Sequence, residues 1–299
     1  MCSDTVDGFL VIDKHEGKTS AFIDFICKKI LNAKKAGHIG TLDPFATGVL
    51  VVAINNGTKL IPYIQSSSKI YEFTVKFGEK TDTGDKTGKV VLALPKIPMA
   101  SELEGALEDF MGEISQSPHP FSAVKVGGTR AYKIARRGEV PVLNHRQVSI
   151  YNLELLEQVE YDTFRLRASV SPGTYIRSLC ESIAKQLGTV GHVQSLRRTM
   201  DGQFSVTDAI SVDYLRGRPA SDIIIPLTDV ALNITKITIS HYVAAALSLG
   251  QTTQVDGIGN GRYLAASESG YLGIVDILGE YATPKKLLSF PNGSCVYGT

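Results

Sequence analysis

The sequence contains few cysteines, and none of them are closely spaced. They are Cys2, Cys27, Cys180 and Cys295, and no two form a C-x-x-C pair. The first residues, MCSDTVDGFLVIDK, lack the basic region followed by an apolar one that marks a secretory signal. We therefore expect reduced thiols and a cytoplasmic location, with neither a disulfide framework nor a structural zinc site.

Signatures of membrane, metal and cofactor proteins are also missing. No apolar run approaches the roughly 20 residues that a membrane-spanning helix needs. The histidines, at positions 15, 38, 119, 145, 192 and 241, have no second ligand at metal-binding spacing. GDKTGK lacks the spacing of a Walker loop, and there is no dinucleotide-binding fingerprint or G-x-S-x-G elbow. We expect no metal, no cofactor and no membrane partner.

The composition is that of a globular protein. The 299 residues are 43% hydrophobic and 20% charged, with a net charge of +1, which argues against disorder. Strand-like and helix-like segments alternate without regular βαβ spacing, so we expect the α+β class. A mixed, largely antiparallel sheet with flanking helices is predicted over residues 1–228, interrupted by an insertion at about residues 113–146. Residues 229–299 are predicted to form a small β-rich module.

Hydrophobic periodicity predicts individual elements. GFLVIDK and GVLVVAI are typical of strands, and YEFTVKF alternates so that Tyr71 starts its inward face. A helix follows the first strand, and its apolar positions recur at Phe22, Ile26 and Ile30. Thr19 or Ser20 is expected to cap this helix and Gly37 to end it. A later helix is predicted to begin with a capping box that starts at Ser101.

The stretch GHIGTLDPFATGVL carries one carboxylate, Asp43, among apolar neighbours. Asp followed by Pro favours the start of a helical turn, so capping is one interpretation. The other is chemistry, because apolar surroundings raise the pKa of a carboxyl group unless a cation lies close. Candidates for that cation are Lys14, Arg177 and Arg197. In the same loop, His38 is either an ordinary loop residue or a ring that stacks on a nucleic-acid base.

Basic side chains concentrate in one part of this nearly neutral chain. Between residues 118 and 146 the only acidic residue is Glu139, and the basic ones are Lys125, Arg130, Lys133, Arg136, Arg137 and Arg146. Such a stretch is either a solvated surface or a face that binds a phosphate-bearing partner.

Several motifs resemble, in order, those of the tRNA pseudouridine synthase B (TruB) family. GHIGTLDPFATGVL is similar to its signature loop, FLVIDKHEGKTS to its opening lysine motif and SKIYEF to the segment with its active-site tyrosine. QSPHPFSAVKVGGTRAYKIARRG resembles its RNA-contacting insertion, and SPGTYIRSL its arginine motif. The resemblance implies the pseudouridine synthase fold with a PUA-like C-terminal domain. It also implies isomerisation of the T-loop uridine at tRNA position 55.

The resemblance further implies roles for individual residues. Asp43 would be the catalytic aspartate, Tyr71 the ring that stacks on the target base and Arg177 the cation beside the aspartate. The residues implied in binding the RNA or shaping its pocket are His38, Lys14, Leu196, Lys125, Arg130, Arg136, Arg137 and Arg146.

The expected partner is the T-arm of tRNA, bound by a monomer that needs no other protein. Two alternatives are an RNA-binding or tRNA-folding module with incidental catalysis, and a guide-RNA-dependent relative of the same family. The basic stretch and the C-terminal module motivate the first of these.

Overall fold

A computed structural model describes residues 6–64, 68–122, 124–268 and 270–288 of the chain. Cys2 and Cys295 lie outside these ranges, while Cys27 and Cys180 are buried free thiols. Burial raises the pKa of both thiols, that of Cys27 to about 12. Neither thiol is therefore ionised enough to act as a nucleophile near neutral pH.

Strands are the main regular structure of the described residues, with helices between them. The strands of the first half are β1 (Gly8–Lys14), β2 (Ala36–Ile39), β3 (Thr47–Ile54), β4 (Lys69–Phe77), β5 (Glu79–Thr81), β6 (Val90–Ala93), β7 (Gly112–Gln116), β8 (Lys125–Val126) and β9 (Thr129–Arg130). Those of the second half are β10 (Arg146–Glu160), β11 (Thr163–Val170), β12 (Gly191–Asp201), β13 (Phe204–Ser205), β14 (Thr235–Thr238), β15 (Thr253–Gln254), β16 (Gly261–Ser267), β17 (Gly270–Leu278) and β18 (Tyr281–Leu287).

The helices are fewer and short. They are α1 (Ser20–Ile30), α2 (Gly57–Leu60), α3 (Ala100–Glu108), α4 (Ala131–Ala135), α5 (Ile176–Gln186) and α6 (His241–Ser248). Single turns of 3₁₀ helix occur at Ile61–Tyr63, Val206–Asp208, Asp213–Leu215, Ala220–Asp222 and Leu227–Asp229.

One large sheet organises the molecule. Its strand order is β1-β3-β12-β4-β11-β10-β7, with β2 beside β3 and β13 beside β12. Strands β3 and β12 run parallel, whereas the other ladders of this sheet within the described ranges are antiparallel. The prediction of a mixed, largely antiparallel α+β sheet is confirmed.

Helices α1, α3 and α5 pack on one face of this sheet around a common core. Strand β4 contributes its alternate residues Tyr71, Phe73, Val75 and Phe77, as the sequence pattern predicts. Lys69, two residues before Tyr71, is on the same buried face, so the inward row starts with a charged residue.

A smaller sheet of order β14-β16-β17-β18-β15 forms the β-rich C-terminal part that the sequence predicts. Its residues Leu264 and Ile274 share a second hydrophobic cluster with Phe9 and Val49 of the large sheet. The alternation of β1 and β3 explains this contact, because successive side chains of a strand point to opposite faces. The two sheets therefore share buried apolar surface.

The buried row of the first helix differs from the apolar row that indicates the helix in the sequence. Phe22 is 42% exposed, while Ile23 and Cys27 are buried. Both rows have the spacing of a helix stripe, and the position of the neighbouring strands decides which row faces the core. Thr19 caps the helix as expected, since its hydroxyl accepts a hydrogen bond from the Phe22 backbone N–H at 3.1 Å.

Two predicted helix boundaries are wrong. The helix α1 ends at Ile30, with Asn32 at a positive φ of 48°, and Gly37 lies inside β2. Helix α3 begins at Ala100, one residue before the predicted capping box. There the Glu102 carboxylate accepts from the Met99 backbone N–H at 2.8 Å.

Candidate active site

The loop between β2 and β3 carries Asp43, four residues before β3 begins. Gly48, at φ +95°, lets β3 approach β12 closely, because a Cβ there would collide with the backbone of Arg198. Pro44 and Phe45 form a turn in which the Asp43 carbonyl accepts from the Ala46 N–H at 3.1 Å. The backbone thus makes the expected turn, while the Asp43 carboxylate points elsewhere.

Arg177 is the cation that meets this carboxylate. Its Nη2 lies 2.9 Å from Oδ2 of Asp43, and its side chain is only 4% exposed, compared with 34% for Asp43. Arg177 comes from the first turn of α5, which directs its side chain back to the loop. The other groups around its guanidinium are the Thr83 carbonyl (2.8 Å), the Phe121 carbonyl (2.9 Å), Nδ1 of His119 (3.3 Å) and Oδ2 of Asp85 (3.5 Å).

Two opposing effects set the pKa of Asp43. Burial raises it above the ordinary value, and the positive charge of Arg177 lowers it. The negative charge of Asp85 raises it further, and Lys14 lowers it by a smaller amount. The net direction is upward. Asp43 is thus a carboxyl group whose ionisation depends on the arginine beside it.

Asp85 is fixed on the far side of Arg177 by its own turn. Its Oδ1 accepts from the Thr87 N–H and from the Thr83 hydroxyl, both at 2.9 Å. Its side chain is 5% exposed. A carboxylate held in this way keeps Arg177 between two negative charges and limits its movement.

Lys14 supports the loop and does not contact the carboxylate of Asp43 directly. It is fully buried, and its Nζ donates to the carbonyls of His15, Lys18 and Pro44 at 3.0, 2.9 and 3.2 Å. Burial lowers its pKa to about 8. Arg197, the third candidate cation, instead pairs with Asp13 at 2.7 Å.

Tyr71 and Leu196 line a cavity of about 350 Å³ above the Asp43–Arg177 pair. Burial raises the pKa of the Tyr71 phenol above its usual value, although the positive charge of Arg198 acts in the opposite direction. The phenol is therefore neutral at physiological pH. A cavity of this size, with an aromatic ring and an apolar wall, suits a planar heterocycle with its sugar.

A charged cluster beneath the loop was not found by sequence reasoning. Lys69 lines the cavity and pairs with Asp201 at 2.5 Å, and Arg198 lies 3.4 Å from the same carboxylate. Burial lowers the pKa of Lys69 to about 8. Arg198 also donates to the Gly40 carbonyl at 2.7 Å. The alternation of β4 is a signal for Lys69, which is two residues before Tyr71 in an inward-facing row.

His38 lies on β2, next to helix α1. Its Nδ1 is 2.7 Å from Oδ2 of Asp24, and its Nε2 is 3.0 Å from the Thr41 hydroxyl. The ring is therefore held at both nitrogens beside the loop that carries Asp43. This orientation is compatible with a ring that contacts a ligand, and the role stays a prediction.

The basic residues of the insertion lie on the surface. Lys125, Arg130, Lys133, Arg136, Arg137 and Arg146 are all exposed. Arg136 lies over the ring of Tyr132 at 5.5 Å, and Arg146 over the ring of Tyr175 at 5.8 Å. Tyr175 also lines the cavity, so the basic surface reaches its rim.

The described ranges lack two kinds of feature. No helix there is long and apolar enough to cross a membrane. No group of three or more histidine, cysteine, aspartate or glutamate side chains in the same ranges could hold a metal ion.

Known proteins resemble the chain over most of its length. The family model for the N-terminal domain of the TruB family pseudouridylate synthases matches residues 28–176, and the model for the tRNA pseudouridylate synthase B C-terminal domain matches residues 177–220. A tRNA pseudouridine synthase B of Gluconacetobacter diazotrophicus is 40% identical over 255 residues, 84% of this chain and 83% of that protein. The protein of the same name from Aquifex aeolicus is 36% identical and covers 95% of this chain and 100% of its own length.

Solved structures extend the likeness to the fold. The crystal structure of a Cbf5-Nop10-Gar1 complex matches 94% of this chain and 84% of that one, with a TM-score of 0.67 and 25% identity. A structure of an archaeal box H/ACA Nop10-Cbf5 complex has a TM-score of 0.66 and 22% identity over 96% of this chain and 90% of that one. The resemblance noted in the sequence motifs is confirmed: the chain belongs to the TruB family of pseudouridylate synthases.

Proposed function

We propose that this protein isomerises uridine to pseudouridine in the T-loop of tRNA, at position 55, with Asp43 as the catalytic residue. The observation that carries the proposal is the Asp43–Arg177 ion pair of 2.9 Å on the floor of a cavity of about 350 Å³. The curated relatives at 40% and 36% identity are tRNA pseudouridine synthases B, which supports tRNA as the substrate.

The reaction breaks the bond from ribose C1′ to uracil N1, turns the base and joins C1′ to C5. It needs no external atom or electron. An ionised Asp43 either attacks C1′ to form an ester or removes the C2′ proton to give a glycal. Both routes require the carboxylate, and Arg177 favours that form by lowering the pKa of Asp43.

Tyr71 faces the same cavity as Asp43. We assign its ring to stacking on the uracil once the nucleotide has left the T-loop stack. Because the raised pKa keeps the phenol neutral, it is a hydrogen-bond donor in the free enzyme. Leu196, which is 7% exposed, would close the apolar side of the base pocket.

Extruding a nucleotide from a folded T-loop costs a few kcal/mol, which contacts to the RNA must offset. The exposed basic residues from Lys125 to Arg146 are suited to phosphate contacts at the rim of the cavity. His38 lies beside the signature loop, where its ring could support the displaced T-loop. The proposal includes action as a monomer and a cytoplasmic location.

One observation favours a second candidate. The Cbf5 chains that share this fold occur in complexes with Nop10, in one case also with Gar1, and another related structure is an H/ACA RNP bound to a substrate RNA. A guide-RNA-dependent enzyme is therefore the alternative. The higher identity to tRNA pseudouridine synthases B favours the standalone enzyme.

The decisive experiment maps pseudouridine in unmodified tRNA after incubation with the purified chain alone. The standalone enzyme forms pseudouridine at position 55 without guide RNA or other proteins. The Asp43→Asn variant should bind the tRNA and form no product. Product formation by Asp43→Asn would contradict the catalytic role, and activity that appears only with a guide RNA would favour the alternative.

A further inference from the structure

His119 is a buried histidine at the base of the insertion, and the reaction above gives it no role. It is 3% exposed. Its Nδ1 lies 3.3 Å from Nη1 of Arg177 and 3.2 Å from the backbone nitrogen of Phe121. Both of these groups are hydrogen-bond donors, so Nδ1 must be the unprotonated nitrogen that accepts. The ring is therefore neutral, with its proton on Nε2.

The surroundings of the ring maintain this state. Nε2 faces Oε1 of Glu181 at 3.8 Å, on the side of a second cavity of about 460 Å³. Burial and the positive charges of Arg177 and Lys80 lower the pKa of His119 to about 3. His119 thus stays neutral, and able to accept at Nδ1, throughout the pH range in which the enzyme would work.

The turn opposite His119 is shaped to admit the ring. Gly84 has a φ of +68°, and a Cβ at this position would lie 2.9 Å from Nε2 of His119. The residues on either side, Thr83 and Asp85, both contact Nη1 of Arg177. The ring, the turn and the guanidinium therefore form one packed unit.

We propose that His119 is a positioning residue, which accepts a hydrogen bond from Arg177 and so holds the guanidinium against Asp43. The His119 Nδ1 accepts from Nη1, and the carbonyl of Phe121, two residues further along the chain, accepts from Nη2 at 2.9 Å. With both nitrogens held, Nη2 faces the Asp43 carboxylate at 2.9 Å. The catalytic part of this inference rests on the proposed function.

The first experiment compares two variants of similar size. His119→Asn keeps an acceptor oxygen near the position of Nδ1, whereas His119→Leu removes it. We expect His119→Leu to lower kcat about 10-fold with KM within about twofold of wild type, the effect of losing roughly one charge-assisted hydrogen bond. His119→Asn should recover most of kcat. An unchanged kcat in His119→Leu, or an equal loss in both variants, would overturn the inference.

The matched control is His192→Leu. His192 lies on β12 and is also buried, at 4% exposed, but its Nδ1 bonds to the Glu79 carbonyl at 2.9 Å and not to Arg177. At temperatures below its unfolding midpoint, this variant should keep the wild-type kcat. A loss in His192→Leu equal to that in His119→Leu would mean that kcat reports general damage, and would overturn the inference.

A double-mutant cycle tests whether His119 acts through Arg177. In an Arg177→Lys background, His119→Leu should change the remaining kcat less than about twofold, because the hydrogen bond is already lost. A further 10-fold loss would show an independent role and contradict the inference.

The last measurement does not depend on activity. Carboxyl NMR of the free protein should give a higher pKa for Asp43 in His119→Leu than in wild type, and the wild-type value in His119→Asn. The charged groups that face this pair, Asp85 and Lys14, are unchanged in both variants. An unchanged pKa in His119→Leu overturns the inference. A wild-type protein inactive on tRNA would instead overturn the proposed function.

Discussion

At the scale of single residues, the site depends on the carboxyl group of Asp43, whose pKa is raised by burial and lowered by one cation, Arg177. The carboxylate of Asp43 sits at the floor of a cavity, and burial alone would keep it protonated to higher pH. Arg177 opposes this effect from 2.9 Å, and Asp85 works against Arg177 from its other side. Each of these charges therefore affects the fraction of enzyme that has an ionised Asp43.

Replacing Arg177 tests the ion pair directly. We expect Arg177→Met to reduce turnover nearly to zero while tRNA affinity stays within a few-fold, because the cation acts on Asp43 and not on the RNA surface. Single-turnover rates and a binding titration measure the two effects. Arg197→Met is the matched control, since Arg197 pairs with Asp13 instead. Normal turnover in Arg177→Met would show that Asp43 does not need this cation.

The pH dependence of the reaction reports the same balance. Activity requires ionised Asp43, and its pKa is raised, so kcat/KM should fall with decreasing pH at a point above the ordinary value for aspartate. Asp85→Asn removes a negative charge near Asp43, which lowers the pKa of Asp43. The fall in kcat/KM should therefore move to lower pH. A shift to higher pH in this variant would contradict the assigned charge interactions.

At the scale of elements, the segments that connect strands and helices surround the reactive groups. The loop after β2, the turn at residues 82–88 and the base of the insertion converge on the first turn of α5. Between β7 and β10, the described residues of the insertion form the two-residue strands β8 and β9 and the five-residue helix α4. Such a segment suits adjustment to an RNA surface better than precise catalysis.

Charge reversal in the insertion tests its part in binding. Arg136→Glu combined with Arg137→Glu should raise the Kd for tRNA and flatten its dependence on salt, because fewer counterions are released. The control is Arg165→Glu combined with Arg167→Glu, an equal change of charge on β11, where both arginines pair with glutamates. Unchanged binding by the first variant would place the RNA surface elsewhere.

At the scale of the whole molecule, the two sheets share one hydrophobic cluster. The predicted boundary at residues 228 and 229 stays a prediction, but Leu264 and Ile274 pack against strands of the large sheet. The C-terminal part is therefore expected to contribute to the stability of the part that carries the site.

Truncating one side chain in this cluster tests the coupling. Leu264 is fully buried, so Leu264→Ala should lower the free energy of unfolding by about 2–5 kcal/mol. Because the cluster joins both sheets, denaturant should still unfold the protein in one transition at a lower midpoint. Leu278→Ala is the control, since Leu278 is 76% exposed. A separate early transition of the C-terminal sheet in Leu264→Ala would show that the sheets unfold independently.

The sequence by itself determined the features that depend on local pattern. The alternation of β4, the largely antiparallel α+β character and a helix cap at Thr19 or Ser20 follow from residue spacing and type, and the structure places the cap at Thr19. The single carboxylate among apolar residues also marked Asp43 as a group that needs a cation.

Only the tertiary structure decided which groups meet. Residue pattern alone left three candidate cations for Asp43, of which the family resemblance implied Arg177. In the structure, the position of α5 relative to the loop brings Arg177, and not Lys14 or Arg197, to the Asp43 carboxylate. The buried face of α1 and the cluster around Lys69 were decided in the same way. Electrostatic and packing energies depend on the distance between groups in space. Residues that are far apart in the chain come close to each other only when the sheet forms.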